Sequence, residues 1–298
     1  MSEPWTVLRL LTWTTDYLKS NGSDSPRLDA EVLLAHARGC ERIMLYAAFD
    51  QIVDDETRGQ FRDLVKRRAA GEPVAYLIGR REFYSLNFRV TPDVLIPRPE
   101  TEFLVVAVLD ALKAINSSAF SLQPSAFAIA DVGTGSGAIA VTIAKHELTV
   151  RVLATDISPA ALAIATENAI AHGVADRIDF READLLASVP AEPRYAVIAS
   201  NPPYIGEAEI STLAPSVINH EPRHALIAGP TGAEIIERLI PQAADRLLPG
   251  GWLILEISPL IASRVTELIA ANARFEPATI TKDLANLPRV IKAQRKGD

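Results

Sequence analysis

The chain has a single cysteine, Cys40, in 298 residues, and only two methionines. One thiol cannot build an internal disulfide framework or a cysteine-based zinc site, so the fold must rest on its own core in a reducing compartment. Long apolar runs are missing as well. No uninterrupted stretch approaches the roughly 20 residues that span a bilayer. The opening Met1-Ser-Glu-Pro-Trp5 lacks the basic-then-apolar pattern of a signal peptide. A cytoplasmic protein with no membrane partner is therefore expected. Nor is there a basic excess: 30 Lys+Arg face 37 Asp+Glu, for a net charge of −7. That balance argues against a protein that lives on naked nucleic acid. Low-complexity tracts and internal repeats are also absent. What is present, 48% hydrophobic and 22% charged residues, suffices for one large globular domain or two ordinary ones.

Two regions follow one another. Residues 6–71 read as helical: Val7, Leu8, Leu11, Thr14, Thr15 and Leu18 fall on one face, and Leu28, Val32, Leu33, Ala35 and His36 on a second. Ser25-Pro26 marks a helix start, and a further helix covers Asp54 to Ala70. A small helical domain over 1–72 is expected. Between 73 and 99, Phe83, Leu86, Phe88, Val90 and Val94 to Ile96 are β-type with turn residues between them, which suggests a β-hairpin linker. A third domain runs from 100 to 298, opening with a helix at Thr101. From Ser125 onward, strands (127–131, 150–155, 177–181, 195–199, 252–257, 275–281, 289–294) alternate with helices (138–145, 159–171, 233–248 and one ending at Ala271). This alternation predicts an α/β fold with a mostly parallel sheet, helices on both faces, and the ligand at the carboxyl ends of the strands.

Motifs sit where that fold would use them. Asp131-Val-Gly-Thr-Gly-Ser-Gly-Ala138 follows the first strand of the sheet and opens a helix. Gly133, Gly135 and Gly137, with Thr134 and Ser136 between them, permit a tight turn and close approach of a ligand to the backbone. Alone the loop is ambiguous, because Gly133-x-Gly135-x-x-Ala138 also fits a dinucleotide fingerprint. Asp156, ending the second strand, could bond the ribose of either a nicotinamide dinucleotide or S-adenosylmethionine. Asp184-Leu185 follows the third strand, where Asp184 could accept an adenine amino group and Leu185 pack on the ring. The fourth strand ends in Asn201-Pro-Pro-Tyr204. Taken in that order, these elements resemble class I (Rossmann-like) S-adenosylmethionine-dependent methyltransferases that act on a planar nitrogen.

The chemistry suits the motif. An amide or ring-bound amino nitrogen is a poor nucleophile, because its lone pair is delocalised. The Asn201 side-chain oxygen and the Pro202 carbonyl can accept its two N–H bonds, and those contacts tighten as positive charge grows on nitrogen. Pro202 and Pro203 fix the carbonyl direction, and Tyr204 offers a flat face. The motif leaves open whether the target is an adenine amino group or a glutamine side chain. As an adenine-N6 methyltransferase on DNA or RNA, the chain would need a basic recognition region, yet residues 1–90 hold 13 Lys+Arg and 13 Asp+Glu. As a mere binding module it would have no need of Asn201.

Longer blocks narrow the choice. Arg67 to Gly79 (RRAAGEPVAYLIG), Glu82 to Glu102 (EFYSLNFRVTPDVLIPRPETE), the glycine loop, SNPPYI, His220 to Leu226 (HEPRHAL) and Leu247 to Ile257 (LLPGGWLILEI) resemble the HemK/PrmC family. The resemblance runs from Pro26 to Ala293. It implies a protein-(glutamine-N5) methyltransferase that modifies the glutamine of the Gly-Gly-Gln motif in peptide chain release factors. It further implies S-adenosyl-L-methionine as cofactor and S-adenosyl-L-homocysteine as product; no direct nucleic-acid contact is expected, and a monomer is expected. Gly133 to Gly137, Asp156, Asp184, Leu185 and Asn201 would hold the cofactor, and Asn201 to Tyr204 the substrate glutamine, with Asn201 and Pro202 catalytic. Arg98, Glu100 and Glu102 would lie near the active site, either in it or as loop salt bridges. The helical domain would recognise the substrate, and Arg58, Arg62, Lys66 and Arg67 would give it a basic stripe facing an acidic surface of the factor. One departure stands out: after Leu255-Glu256-Ile257 the family usually continues with Gly and, shortly after, Gln, where this chain has Ser258-Pro259-Leu260-Ile261.

His220-Glu-Pro-Arg-His224 also matches the zinc-protease pattern H-E-x-x-H. That mechanism needs both histidines on one helix, and Pro222 inside it would cost about 3 kcal/mol. No metal is expected here. A loop over the site, held by pairing of Glu221 with Arg223, is expected instead. His36, His146 and His172 read as ordinary helix residues.

Overall fold

Helix starts are set by local chemistry. Thr6 and Asp54 each turn a side-chain oxygen onto the backbone N–H three residues on, and helices α1 (Val7–Ser20) and α3 (Asp55–Ala69) begin there. Between them lies α2 (Pro26–Ala37), with proline in its first turn, and a short α4 (Val74–Ile78) follows. The computed structural model describes residues 4–117, 128–192 and 194–297. By contacts it forms two compact units, Met1–Arg80 with Ala214–His220, and Arg81–Leu213 with Glu221–Asp298.

In the helical unit, Leu11, Leu18, Leu33, Leu34, Leu45, Phe61 and Val65 form one core. Its faces differ from the expected ones. Leu8 and Leu28 are exposed while Leu10 and Leu34 are buried, and α2 buries two carboxylates, Asp29 and Glu31, rather than His36. Both are paired: Asp29 accepts from Ser23 Oγ and Arg68 Nε at 2.7 Å, and Glu31 from Arg27, Arg42 and Tyr46. Burial pushes Glu31 up, but those donors outweigh it and its pKa falls below the usual range. The basic stripe is partly neutralised. Arg58 pairs with Asp55, Arg67 with Glu72, and Arg62 lies 3.8 Å from Asp63.

The larger unit opens with a hairpin, β1 (Arg80–Phe83) and β2 (Leu86–Arg89), turned by Tyr84 and Ser85 at φ 50° and 60°. Val94 to Ile96, expected as β-type, form a turn and loop instead. Then come α5 (Thr101–Ser117), β3 (Ala128–Val132), α6 (Ala138–His146), β4 (Arg151–Asp156), α7 (Pro159–Ala171), β5 (Ile178–Glu182) and β6 (Tyr195–Ser200). After a two-residue β7 (Ile205–Gly206) the chain gives α8 (Pro215–His220) to the helical unit, and then follow β8 (Ile227–Gly229), α9 (Glu234–Arg246), β9 (Leu247–Glu256), α10 (Ala262–Ala271), β10 (Thr279–Lys282) and β11 (Pro288–Gln294). Ser125 and Phe127, from which alternation was expected, lie outside the described residues. The helix expected over 233–248 ends at Arg246, because β9 runs straight through Pro249-Gly250-Gly251. A register shift against β6 absorbs those residues.

Seven strands form the sheet in the order β10-β11-β9-β6-β3-β4-β5. The five from β9 to β5 are mutually parallel, and β11 runs antiparallel between β9 and β10. Central strands are buried on both faces, so β6 is apolar from Tyr195 through Ala199 rather than alternating. Ile129, Val197 and Ile254 face one layer containing Leu104, Val108, Ile139 and Ile143. Ala130, Ile198 and Leu253 face another containing Ile236, Leu239, Val265 and Ile269. The five parallel strands thus hand their carboxyl-end loops to one edge, with chain order reversing between β3 and β6.

Gly137, the residue before α6, shows how tightly these layers close. It has φ 80°, and a Cβ there would sit 3.1 Å from Ala165 Cβ on α7. Gly133 is also left-handed, at φ 74°, but a Cβ there would meet nothing within 4 Å. Gly137→Ala should therefore cost about 2–3 kcal/mol and Gly133→Ala about 1 kcal/mol, read from the midpoints of chemical denaturation.

Candidate active site

The carboxyl ends of β3, β4, β5 and β6 enclose a cavity of about 330 Å³. Gly133, Thr134, Gly135, Ser136, Asp156, Asp184, Leu185, Asn201 and Pro203 all line it, brought together from four separate loops. Gly137, Pro202 and Tyr204 stand outside its wall. Gly137 packs on α7, Pro202 is buried, and Tyr204 turns its hydroxyl toward Glu256. His224, from the segment expected as a loop over the site, also lines it, as do residues assigned no role from the sequence: Asp93 and Leu95 from the loop before α5, Thr101, Ile139, Ile157, Ile235 and Arg238.

The glycine loop is held by three acceptors. The Thr155 carbonyl takes the N–H groups of Gly133 and Thr134, at 2.8 and 2.9 Å. Asp156 takes Gly135 N–H on one carboxylate oxygen at 2.8 Å, and Ser158 N–H on the other at 2.9 Å. Behind the loop, Asp131 Oδ2 accepts from Thr134 Oγ1 at 2.6 Å and Ala140 N–H at 3.1 Å. Burial, aided by the Asp156 charge, pushes Asp131 up to about 7 despite those two donors. A fourth tie comes from Asn168 on α7, only 2% exposed. Its Nδ2 donates to the carbonyls of Ser136 and Arg89, and its Oδ1 accepts from Arg89 N–H, so one amide joins the glycine loop to β2. No local signal in the α7 sequence marks Asn168 for this, since its partners lie 32 and 79 residues away.

At another wall of the cavity, Asp184 is paired with Arg238 from α9, and Leu185 takes φ 56°. The Asn201 amide is oriented by α5: its Nδ2 donates to Thr101 Oγ1 at 3.1 Å. That bond leaves Oδ1 as a free acceptor on a residue that lines the cavity. Glycine is obligatory at 232 for the next turn, where a Cβ would lie 2.6 Å from the Tyr204 carbonyl.

The expected Glu221 to Arg223 pair does not form. Glu221 is buried, accepts from Ile96 N–H at 3.2 Å, and pairs with Arg98, closing the loop before α5. Glu102, in the first turn of α5, accepts from Tyr84 N–H at 3.0 Å, so Arg98 and Glu102 both act as braces. The H-E-x-x-H pattern is not one helix: α8 ends at His220, Pro222 is extended, and a new 3₁₀ turn starts at Arg223. His172 caps α7 and bonds the Asn87 carbonyl, while His146 packs edge-on against Tyr84. Among the described residues, no helix is long and apolar enough to cross a membrane.

Comparison with known proteins agrees with this layout. Residues 9–79 match the PrmC N-terminal domain, and residues 117–229 the methyltransferase small domain. The release factor glutamine methyltransferase of Rhodopirellula baltica is 48% identical, over 98% of this chain and 97% of its own. That of Moorella thermoacetica is 42% identical, over 94% and 95%. Among solved structures, the hMettl16 catalytic domain in complex with MAT2A 3'UTR hairpin 1 aligns over 79% of this chain and 82% of that one. Its TM-score is 0.58 at 18% identity, a likeness of fold alone. The likeness to the two curated relatives spans both units and every wall of the cavity, and the chain belongs to the release factor glutamine methyltransferase family.

Proposed function

We propose that this chain methylates the side-chain amide nitrogen (N5) of the glutamine in the Gly-Gly-Gln motif of peptide chain release factors, consuming S-adenosyl-L-methionine. The observation that carries this reading is the oriented Asn201 amide at the cavity wall, donating to Thr101 and keeping its oxygen free.

The cavity suits the cofactor. Gly133 and Gly135 leave open space where side chains would stand, and so offer bare backbone to the methionine end. Asp156 already spends one lone pair of each oxygen on a backbone N–H, and the remaining pairs can accept ribose hydroxyls. Ile139, Ile157, Leu185 and Ile235 supply apolar wall for a purine. When bound, the cofactor supplies an electrophilic sulfonium methyl.

The protein's own part is positioning. Asn201 Oδ1 and the Pro202 carbonyl accept the two N–H bonds of the target amide, and they hold it more tightly as its nitrogen gains positive charge. Pro202 and Pro203 keep the carbonyl aimed without an entropy cost at each encounter. Tyr204 presents a flat face to the planar amide. Recognition of the factor falls to the helical unit, which carries the match to the PrmC N-terminal domain.

Asn201→Ala should lower kcat about 10²–10³-fold while leaving cofactor affinity within a few-fold, measured by calorimetry beside turnover. The substrate is tested with labelled S-adenosylmethionine, a release factor and duplex DNA together. Mass spectrometry should find the label on the Gly-Gly-Gln glutamine, and label on adenine instead would refute the reading. Asp156→Ala removes both the ribose acceptor and the tether of Gly135. It should raise the cofactor Kd at least about tenfold, seen by calorimetry without any turnover.

A further inference from the structure

Behind the Asn-Pro-Pro-Tyr turn lies a buried carboxylate with no part in the contacts assigned to substrate and cofactor. Glu256, the last residue of β9, is 1% exposed, and Thr101 beside it is 4% exposed. Tyr204 Oη donates to Glu256 Oε1 at 3.3 Å, while Asn201 Nδ2 donates to Thr101 Oγ1. Glu256 Oε2 has no hydrogen-bond partner, so the carboxylate keeps acceptor capacity for the neighbouring Thr101 hydroxyl.

A hydroxyl has one proton to place. While Glu256 is ionised it can only accept, which draws the Thr101 proton toward it and leaves the Oγ1 lone pairs for Asn201. Asn201 must then turn its NH₂ inward, and its oxygen is the end left for a substrate N–H. Once Glu256 is protonated it can donate to Thr101 instead. The Thr101 proton is then free to point at Asn201, and the amide fits equally well reversed, with an NH₂ facing the substrate NH₂.

We propose that Glu256 is a positioning residue whose carboxylate, acting through Thr101, sets the polarity of the Asn201 amide and, through the Tyr204 hydroxyl, steadies the other end of the turn. The proposal rests on the assignment of Asn201 as the acceptor for the substrate amide.

The groups around Glu256 define its titration. Burial pushes it up to about 7; the Thr101 and Tyr204 hydroxyls pull it down, the Glu100 charge pushes it up, and Arg289 pulls it down. Tyr204 is itself raised well above an ordinary phenol by burial and by Glu256, against the pull of Arg289 and Arg98, so it stays a donor. Glu256 therefore gains its proton as pH falls through about 7, and the Asn201 acceptor is lost on the acid side. Asp131 rises to about 7 as well, so the wild-type pH profile alone does not assign the group, whereas variants do.

The direct test uses ¹⁵N-labelled full-length protein without substrate. The Asn201 side-chain NH₂ signals, identified by their loss in Asn201→Ala, should shift with a midpoint near pH 7. That shift should vanish in Glu256→Gln and in Thr101→Val, and return in Thr101→Ser. Turnover on a release factor between about pH 5.5 and 9 should show an acid limb in wild-type kcat. In Glu256→Gln that limb should disappear and kcat fall about tenfold at unchanged cofactor Kd. A flat Asn201 titration in the wild type, or one that survives Glu256→Gln, overturns the proposal. Should Glu256→Gln fail to fold, Thr101→Val takes its place, and a titration that survives there overturns the proposal equally. An intact titration with no methyl transfer to the factor would sink the functional reading and leave the positioning role standing.

Discussion

The central parallel strands, buried on both faces, constrain everything else in the larger unit. A strand covered by helices on each side has no solvent-facing residues to give to function, so chemistry can only occupy its ends. Because the five strands run the same way, those ends share one edge. The glycine loop, Asp156, Asp184 and Asn201 are each separated from the next along the chain by at least one strand, yet they line one cavity. On the side away from β5 the antiparallel β11 and the outermost β10 complete the sheet.

Within the edge, rigidity comes from polar side chains that sit behind the lining rather than in it. Asp131 and Asn168 are buried and hold the glycine loop from two directions, Asp131 by accepting from the Thr134 hydroxyl and Asn168 by donating to the Ser136 carbonyl. Glu221 does the same for the loop before α5, through Ile96 and Arg98. A loop whose backbone groups are already held has little conformational entropy left to lose when a ligand arrives. Such pre-organisation matters more for amide methylation than for many reactions. The nucleophile is weak, and the site offers direction rather than a strong base.

The same logic explains the raised carboxyls. Asp131 and Glu256 are held near 7 first by burial, which is the cost of placing an acceptor where it can organise neighbouring donors in a low dielectric. An apolar residue in either place would spare that cost and leave Thr134, Thr101 or Tyr204 without a direction.

Much of this was legible in the amino-acid order because it is local. Ser158-Pro159 begins α7 through a side-chain cap and a fixed φ, and the helix runs from Pro159 to Ala171 as expected. The glycine loop, Asp156 and Asn201-Pro-Pro-Tyr204 stood out because a tight glycine turn, an acid at a strand end and a stiff Pro-Pro turn are each marked by particular residue types, and the structure brings residues of all three to one cavity. Local signals failed where packing overrode them. Pro249-Gly250-Gly251 looks like a stop but is taken up inside β9, and Leu8 and Leu28 follow helical spacing yet face solvent. The braces were decided by the tertiary structure alone. Thr101 meets Asn201 across 100 residues, Asn168 meets Arg89 across 79, and Glu221 meets Ile96 across 125. A side chain's type says which bonds it can make, but only the path of the chain through space says which partner stands within about 3 Å to make them.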